Sequence, residues 1–264
     1  IQSLIEKKES PAQTTCYGDF TEDDDSPYNN GSAIAPLLPF ASYYVPKEDQ
    51  WYDTENDNRW GFNFRLASES KYKELIDGTG TSAKHLGAGI KYKGEIVRMP
   101  YIVKFCDVNN RRPDRSGTSL NFPILRWSDV LLMYAEALNE WKHGPTTEAY
   151  AAINEVRRRG YGYPSNTGSC DLSNLNEETF REAVRKERAY ELAFEGHRRM
   201  DLVRWGIYYE TIQKTNAALA NWWDSADNYR YLLYKYTEKN KHELLPIPQR
   251  EKDLCIQFKQ NPGW

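Results

Sequence analysis

Two kinds of hydrophobic pattern divide this chain. From Trp127 onward the apolar positions recur with a helical period. Trp127, Val130, Leu131, Tyr134, Leu138 and Trp141 fall at i, i+3, i+4 and i+7 spacings and predict one broad apolar face. Leu132 and Met133 lie off that stripe, so the helix is expected to be buried on more than one side. Gly144-Pro145 stops it. A second helix carries Ala149, Ala152, Ile153 and Val156 on one face and is expected to end near Gly160. The pair reads as one degenerate helical hairpin of the tetratricopeptide kind. A third helix starts at Asn176, an N-cap with Glu177 and Glu178 in the first turn. Gly196 should end or bend it. Helical pieces are then expected over 197–205 and 207–222, followed by a turn-rich end that includes Leu245-Pro246-Ile247-Pro248.

The first 120 residues have no such period. Pro36, Pro39, Pro46, Pro100 and Pro113 alternate with Gly78, Gly80, Gly87, Gly89 and Gly94, which predicts loops. Tyr101-Ile102-Val103-Lys104-Phe105 is the best strand candidate, paired with Glu95-Ile96-Val97-Arg98. The expected fold is therefore mainly α: tetratricopeptide-like helical hairpins with a long loop-rich insertion and at most a small β-hairpin. The expected division is a recognition region over 1–120 and a helical scaffold over 121–264.

Composition narrows the function. A net charge of -3 over 264 residues removes the usual electrostatic drive for nucleic-acid binding, so none is expected. No apolar run is long enough to span a bilayer. The chain opens on Ile1 with no signal-peptide pattern, so a preceding segment is expected to have been removed. Cys16, Cys106, Cys170 and Cys255 have no metal-binding spacing; they read as free thiols, or as disulfides in one of three connectivities. Eight Trp, nineteen Tyr and nine Phe are a large aromatic complement. Such rings pack cores, and on loops they also hold the apolar faces of sugars or wrap peptides.

The third helix holds a conflict. Phe180, Ala183, Val184 and Phe194 define its apolar face, and Glu187, Glu191 and Glu195 lie within the same stripe. Like charges at i, i+4 repel, and a buried carboxylate is costly unless paired and hydrogen-bonded. Arginines must meet them. Arg198, Arg199 and Arg204 are near in sequence, and Arg126 and Arg157 are in reach from the other helices. A glycosidase would instead need two carboxylates across a cleft. A helical metal site would need Glu-x-x-His, and Glu195-Gly196-His197 has the wrong spacing. The reading taken is a structural charge network of Arg126, Glu187, Glu191, Glu195, Arg198 and Arg204, with no catalytic residue, no metal and no cofactor. Removing one partner should be strongly destabilising.

Four blocks carry a family resemblance. Asn121-Phe122-Pro123-Ile124-Leu125-Arg126-Trp127-Ser128-Asp129-Val130-Leu131-Leu132-Met133-Tyr134-Ala135-Glu136-Ala137-Leu138-Asn139 resembles the signature helix of SusD/RagB proteins, and Ala152-Ile153-Asn154-Glu155-Val156-Arg157 resembles the family's next helix. Glu187 to Gly206, with Glu191-Leu192-Ala193-Phe194-Glu195-Gly196-His197-Arg198-Arg199 at its centre, is the strongest match. Leu245 to Glu251 with Gln260 to Trp264 is similar to the family's closing segment. Asp57-Asn58-Arg59 is the best anchor in the otherwise variable first 120 residues. The resemblance implies a lipid-anchored, cell-surface lid over a SusC-type TonB-dependent barrel in an outer membrane. It delivers glycans, or peptides in the RagB branch, and does not catalyse. It also implies an N-terminal half with signal peptide, lipid-acceptor cysteine and further hairpins that this sequence does not contain. Apolar surface around Trp127, Tyr134 and Trp141 is then expected to lie uncovered.

A ligand site is expected in the loops. Tyr43, Tyr44, Trp51, Tyr52 and Trp60 form the densest aromatic cluster, with Asp57 and Arg59 as polar contacts. Rings beside short polar groups suit a carbohydrate platform: rings meet C–H faces, polar groups meet hydroxyls. Two other classes stay open, a helical glycoside hydrolase and a repeat scaffold for another protein.

Overall fold

In the computed structural model, which describes residues 56–59, 63–66, 89–92, 95–98, 100–102, 104, 123–163, 168–219 and 237–264, the chain is mainly α. It divides into two compact units, one within residues 1–90 and 96–197 and one within 91–95 and 198–264. The expected recognition region lies mostly outside the described residues.

The first unit is built on a hairpin and a third helix. Helix α1 (Trp127–Lys142) ends where His143 takes up the left-handed region at φ 55° and its N–H bonds to the Asn139 carbonyl. Helix α2 (Thr147–Tyr161) is capped by Thr146, whose hydroxyl accepts from the Ala149 N–H, and closes on Gly162 at φ 78°. Helix α3 (Glu177–Glu191) begins with a full capping box, Asn176 and Thr179 each bonding the other's backbone. It stops at Glu191, short of the expected Gly196. Leu132 and Ala135 of α1, Ala149, Ala152, Ile153 and Val156 of α2, and Phe180 and Val184 of α3 form one buried cluster. Tyr150 meets Phe180 edge-on at 5.1 Å.

The buried face of α1 differs from the predicted stripe. Ser128, Asp129, Leu132, Ala135 and Asn139 are buried, while Trp127, Tyr134 and Trp141 are 66%, 49% and 70% exposed, the uncovered apolar surface that the family resemblance led one to expect there. Leu132 and Ala135 pack with Ala149, Ala152, Ile153 and Val156 of α2, and the rings stay outside that cluster.

The strands also pair differently from expectation. β1 (Phe64–Leu66) pairs antiparallel with β4 (Pro100–Ile102), Arg65 opposite Tyr101. β2 (Gly89–Tyr92) pairs with β3 (Glu95–Arg98). Only Met99 separates β3 from β4, too short a connection to turn one strand back on the other, whereas two residues suffice between β2 and β3.

The second unit contains α4 (Arg198–Arg204), α5 (Tyr208–Leu219) and α6 (Gln249–Leu254). Its C-terminal stretch is held by side-chain amides more than by a core. Gln260 bonds both backbone groups of Ile247, and the Trp264 indole donates to the Lys241 and Leu244 carbonyls. No helix among the described residues is long and apolar enough to cross a membrane.

Candidate functional site

The apolar stripe of α3 turns acidic halfway along. Phe180 and Val184 enter the core, and Glu187 and Glu191 continue the same face, with Glu195 in the turn beyond. The three are only 1%, 3% and 4% exposed. Burying three carboxylates together is prohibitive without cations and hydrogen bonds to receive them.

Five cations receive them. From α2, Arg157 donates to Glu187 at 2.8 Å and to the Cys170 carbonyl at 2.8 Å, while Arg159 pairs with Glu191. Arg126, just before α1, forks onto Glu195 at 2.7 and 2.8 Å and also bonds Glu191 and Ser128. Two further cations come from the region before residue 120. Arg59 donates to Glu187 at 2.5 Å and Glu191 at 3.3 Å, braced from behind by Asp57 at 2.7 to 3.1 Å. Lys104 pairs with Glu195 at 2.5 Å and donates to the Glu191 and Ala193 carbonyls, a cation set on a helix C-terminus. A separate buried pair, Arg188 with Asp129 at 2.7 Å, ties α3 to α1.

The electrostatics follow from this geometry. Burial pushes the Glu191 carboxyl up, but the Arg159, Arg126 and Arg59 guanidiniums outweigh it and hold the group at about 2. Burial brings the Lys104 ammonium down to about 8 against the pull of Glu195, so it remains charged at neutral pH. For Arg59, burial is outweighed by Glu187 and Asp57, and its pKa is raised. Burial and the neighbouring Glu187 raise the Tyr190 hydroxyl, whose ring lies under Arg59. A general acid must carry its proton at working pH and face an open cleft. Glu191 does neither. Among the described residues no group of three or more His, Cys, Asp and Glu side chains is arranged to hold a metal ion.

The SusD family pattern matches residues 14–264. The chain belongs to the SusD family. Curated relatives include SusD-like protein P25 of Formosa agariphila, 34% identical over 61% of this chain and 27% of its own length, and SusD-like protein P38 of the same organism, 37% identical over 70% and 38%. The crystal structure of a SusD homolog from Bacteroides thetaiotaomicron superposes with a TM-score of 0.63 at 45% identity, covering 81% of this chain and 42% of that one. A SusD-like carbohydrate-binding protein from Bacteroides fragilis shares the fold, with a TM-score of 0.59 at 23% identity over 88% of this chain and 50% of that one. The chain thus spans well under half the length of the curated relatives named.

Within this SusD-family chain the expected site residues are distributed as follows. Arg126, Glu187, Glu191 and Glu195 are brought together. Arg204 bonds Asp201 at 3.0 Å, and the Arg198 and Arg204 guanidiniums sit over the Trp205 ring. The chain leaves the helix through Phe194 (φ 65°) and Gly196 (φ 83°), so later residues no longer continue the period of the acidic stripe. Asp57 and Arg59, expected as polar ligand contacts, are 3% and 5% exposed and belong to the buried network instead. Tyr43, Tyr44, Trp51, Tyr52 and Trp60 lie outside the described residues. Sequence reasoning missed Lys104 and Arg159. Lys104 carried a signal, an ammonium within an otherwise apolar 101–105 run.

Proposed function

We propose that this chain is part of a non-enzymatic glycan-binding protein, the nutrient-capturing subunit of an importer built on a SusC-type TonB-dependent barrel. The parent protein sits at the outer membrane and cell surface as a lipoprotein. The observation that carries the binding reading is the state of the carboxylates: the group that most resembles an acid–base pair is buried, ion-paired and, at Glu191, deprotonated far below neutral pH. Ligand contact is then assigned to the stretch before residue 120 in which the sequence concentrates Tyr43, Tyr44, Trp51, Tyr52 and Trp60. Membership of the SusD family supports the role, and the carbohydrate-binding character of the Bacteroides fragilis relative favours a glycan. The test is a printed array of oligosaccharides and peptides probed with the full chain. Selective retention of oligosaccharides is expected; retention of peptides alone would replace the glycan reading with a peptide one.

A further inference from the structure

We propose that the gap at Gly160 in α2 is a guanidinium-binding site, filled in this chain by its own Arg59. A free alkylguanidinium takes that place when the Arg59 side chain is removed.

The carboxylates behind the gap are held ready by other arginines. Arg157, itself anchored on the Cys170 carbonyl, bonds Glu187 through Oε2. Arg126 and Arg159 both take Glu191 through Oε1. Among the described residues, the opposite oxygens, Glu187 Oε1 and Glu191 Oε2, face the Arg59 guanidinium at 2.5 and 3.3 Å. The Tyr190 ring adds an aromatic face, its centroid 5.7 Å from Arg59 Cζ. Fixed acceptor oxygens above a ring suit a planar, forked cation better than a compact ammonium.

Gly160 provides the room. It lies inside α2, where glycine is among the poorest helix formers. A Cβ there would stand 2.5 Å from Arg59 Nε and 2.8 Å from Cζ. The missing side chain is the space that the guanidinium occupies. At its rim the Asn58 N–H donates to the Gly160 carbonyl at 3.0 Å. Charge balance separates the occupant from the site. Arg59, Lys104, Arg126, Arg157 and Arg159 together face the carboxylates of Asp57, Glu187, Glu191 and Glu195, one cation more than the anions. Losing the Arg59 charge therefore leaves the cluster matched, while Asp57, Glu187 Oε1 and Glu191 Oε2 lose the donor they share.

Arg59→Ala deletes what N-ethylguanidinium restores, the outer carbons of the side chain with its guanidinium. In the full chain, N-ethylguanidinium at about 20 mM should raise the melting temperature of Arg59→Ala by about 3 °C, saturably, and should not raise that of the wild type. Urea, planar but neutral, and ethylammonium, charged but not forked, should not reproduce the gain. Adding Gly160→Ala to Arg59→Ala should abolish it, because the new Cβ stands in the cation's place, although alanine is the better helix former. If Arg59→Ala does not fold alone, it is refolded with and without N-ethylguanidinium. Recovery with the cation supports the site, and no recovery overturns it. No gain in a folded Arg59→Ala chain would overturn it too. So would an equal gain with ethylammonium or in the wild type, or a gain that survives Gly160→Ala.

Discussion

Glu191→Ala is expected to lower the unfolding free energy by about 3–5 kcal/mol, the usual loss when one partner of a buried ion pair is removed. Three guanidiniums, those of Arg59, Arg126 and Arg159, converge on this carboxylate, and the substitution removes a counter-charge from each, most costly for the buried Arg59. For a chain of this size the loss corresponds to roughly 10 °C in melting temperature, readable by circular dichroism. The same carboxyl gives an acid limb. Its folded pKa is depressed, so its stabilisation is fully present above the unfolded value near 4.5 and is lost as pH falls towards about 2. In Glu191→Ala that part of the limb should flatten. A melting temperature unchanged by the substitution would show that the network does not hold the helices together.

The second large effect concerns the ligand. Trp51→Ala and Trp60→Ala are each expected to weaken oligosaccharide binding by about 2 kcal/mol or more, roughly thirtyfold, as for aromatic anchors at the centre of a binding surface. Their melting temperatures should stay close to the parent's. Among the described residues, the buried cluster of α1–α3 is drawn from residues 132–184. A steep loss of stability from one substitution would mark that ring as an anchor of the loop. Binding that survives both would move the contact surface out of segment 43–60.

Much of the helical part was legible because its signals are local. Asn176 with Glu177 and Glu178 announces the start of α3, and Gly144-Pro145 separates α1 from α2, by rules that act within one turn. The face that α1 buries was not legible. Periodicity finds an apolar stripe, but which residues of it are buried depends on the neighbours, and α2 and α3 take up Leu132 and Ala135 while Trp127, Tyr134 and Trp141 stay exposed. Gly160 illustrates the same limit. It has the composition of a helix cap, yet α2 runs past it to Gly162, and the glycine makes room for a side chain from a hundred residues earlier. The need for arginines around Glu187, Glu191 and Glu195 follows from the cost of burying charge. Arg126 and Arg157 could be named from their reach, and they pair with Glu195 and Glu187; Arg159, Arg59 and Lys104 could not, because only the packing of α2 and of the segments around Asp57 and Lys104 brings them in. Asp57 and Arg59 looked like ligand contacts because a polar pair beside aromatic residues has the same composition whether it faces a sugar or a buried glutamate.

Glycan binding without cleavage, as proposed for this SusD-family chain, is read most directly by a reducing-end assay on the full chain incubated with the oligosaccharides it retains. Retention with no release of new reducing ends over the incubation is expected. Turnover that disappears in Glu191→Gln would contradict it, because a carboxylate held at about 2 by three arginines would then be acting as the catalytic group.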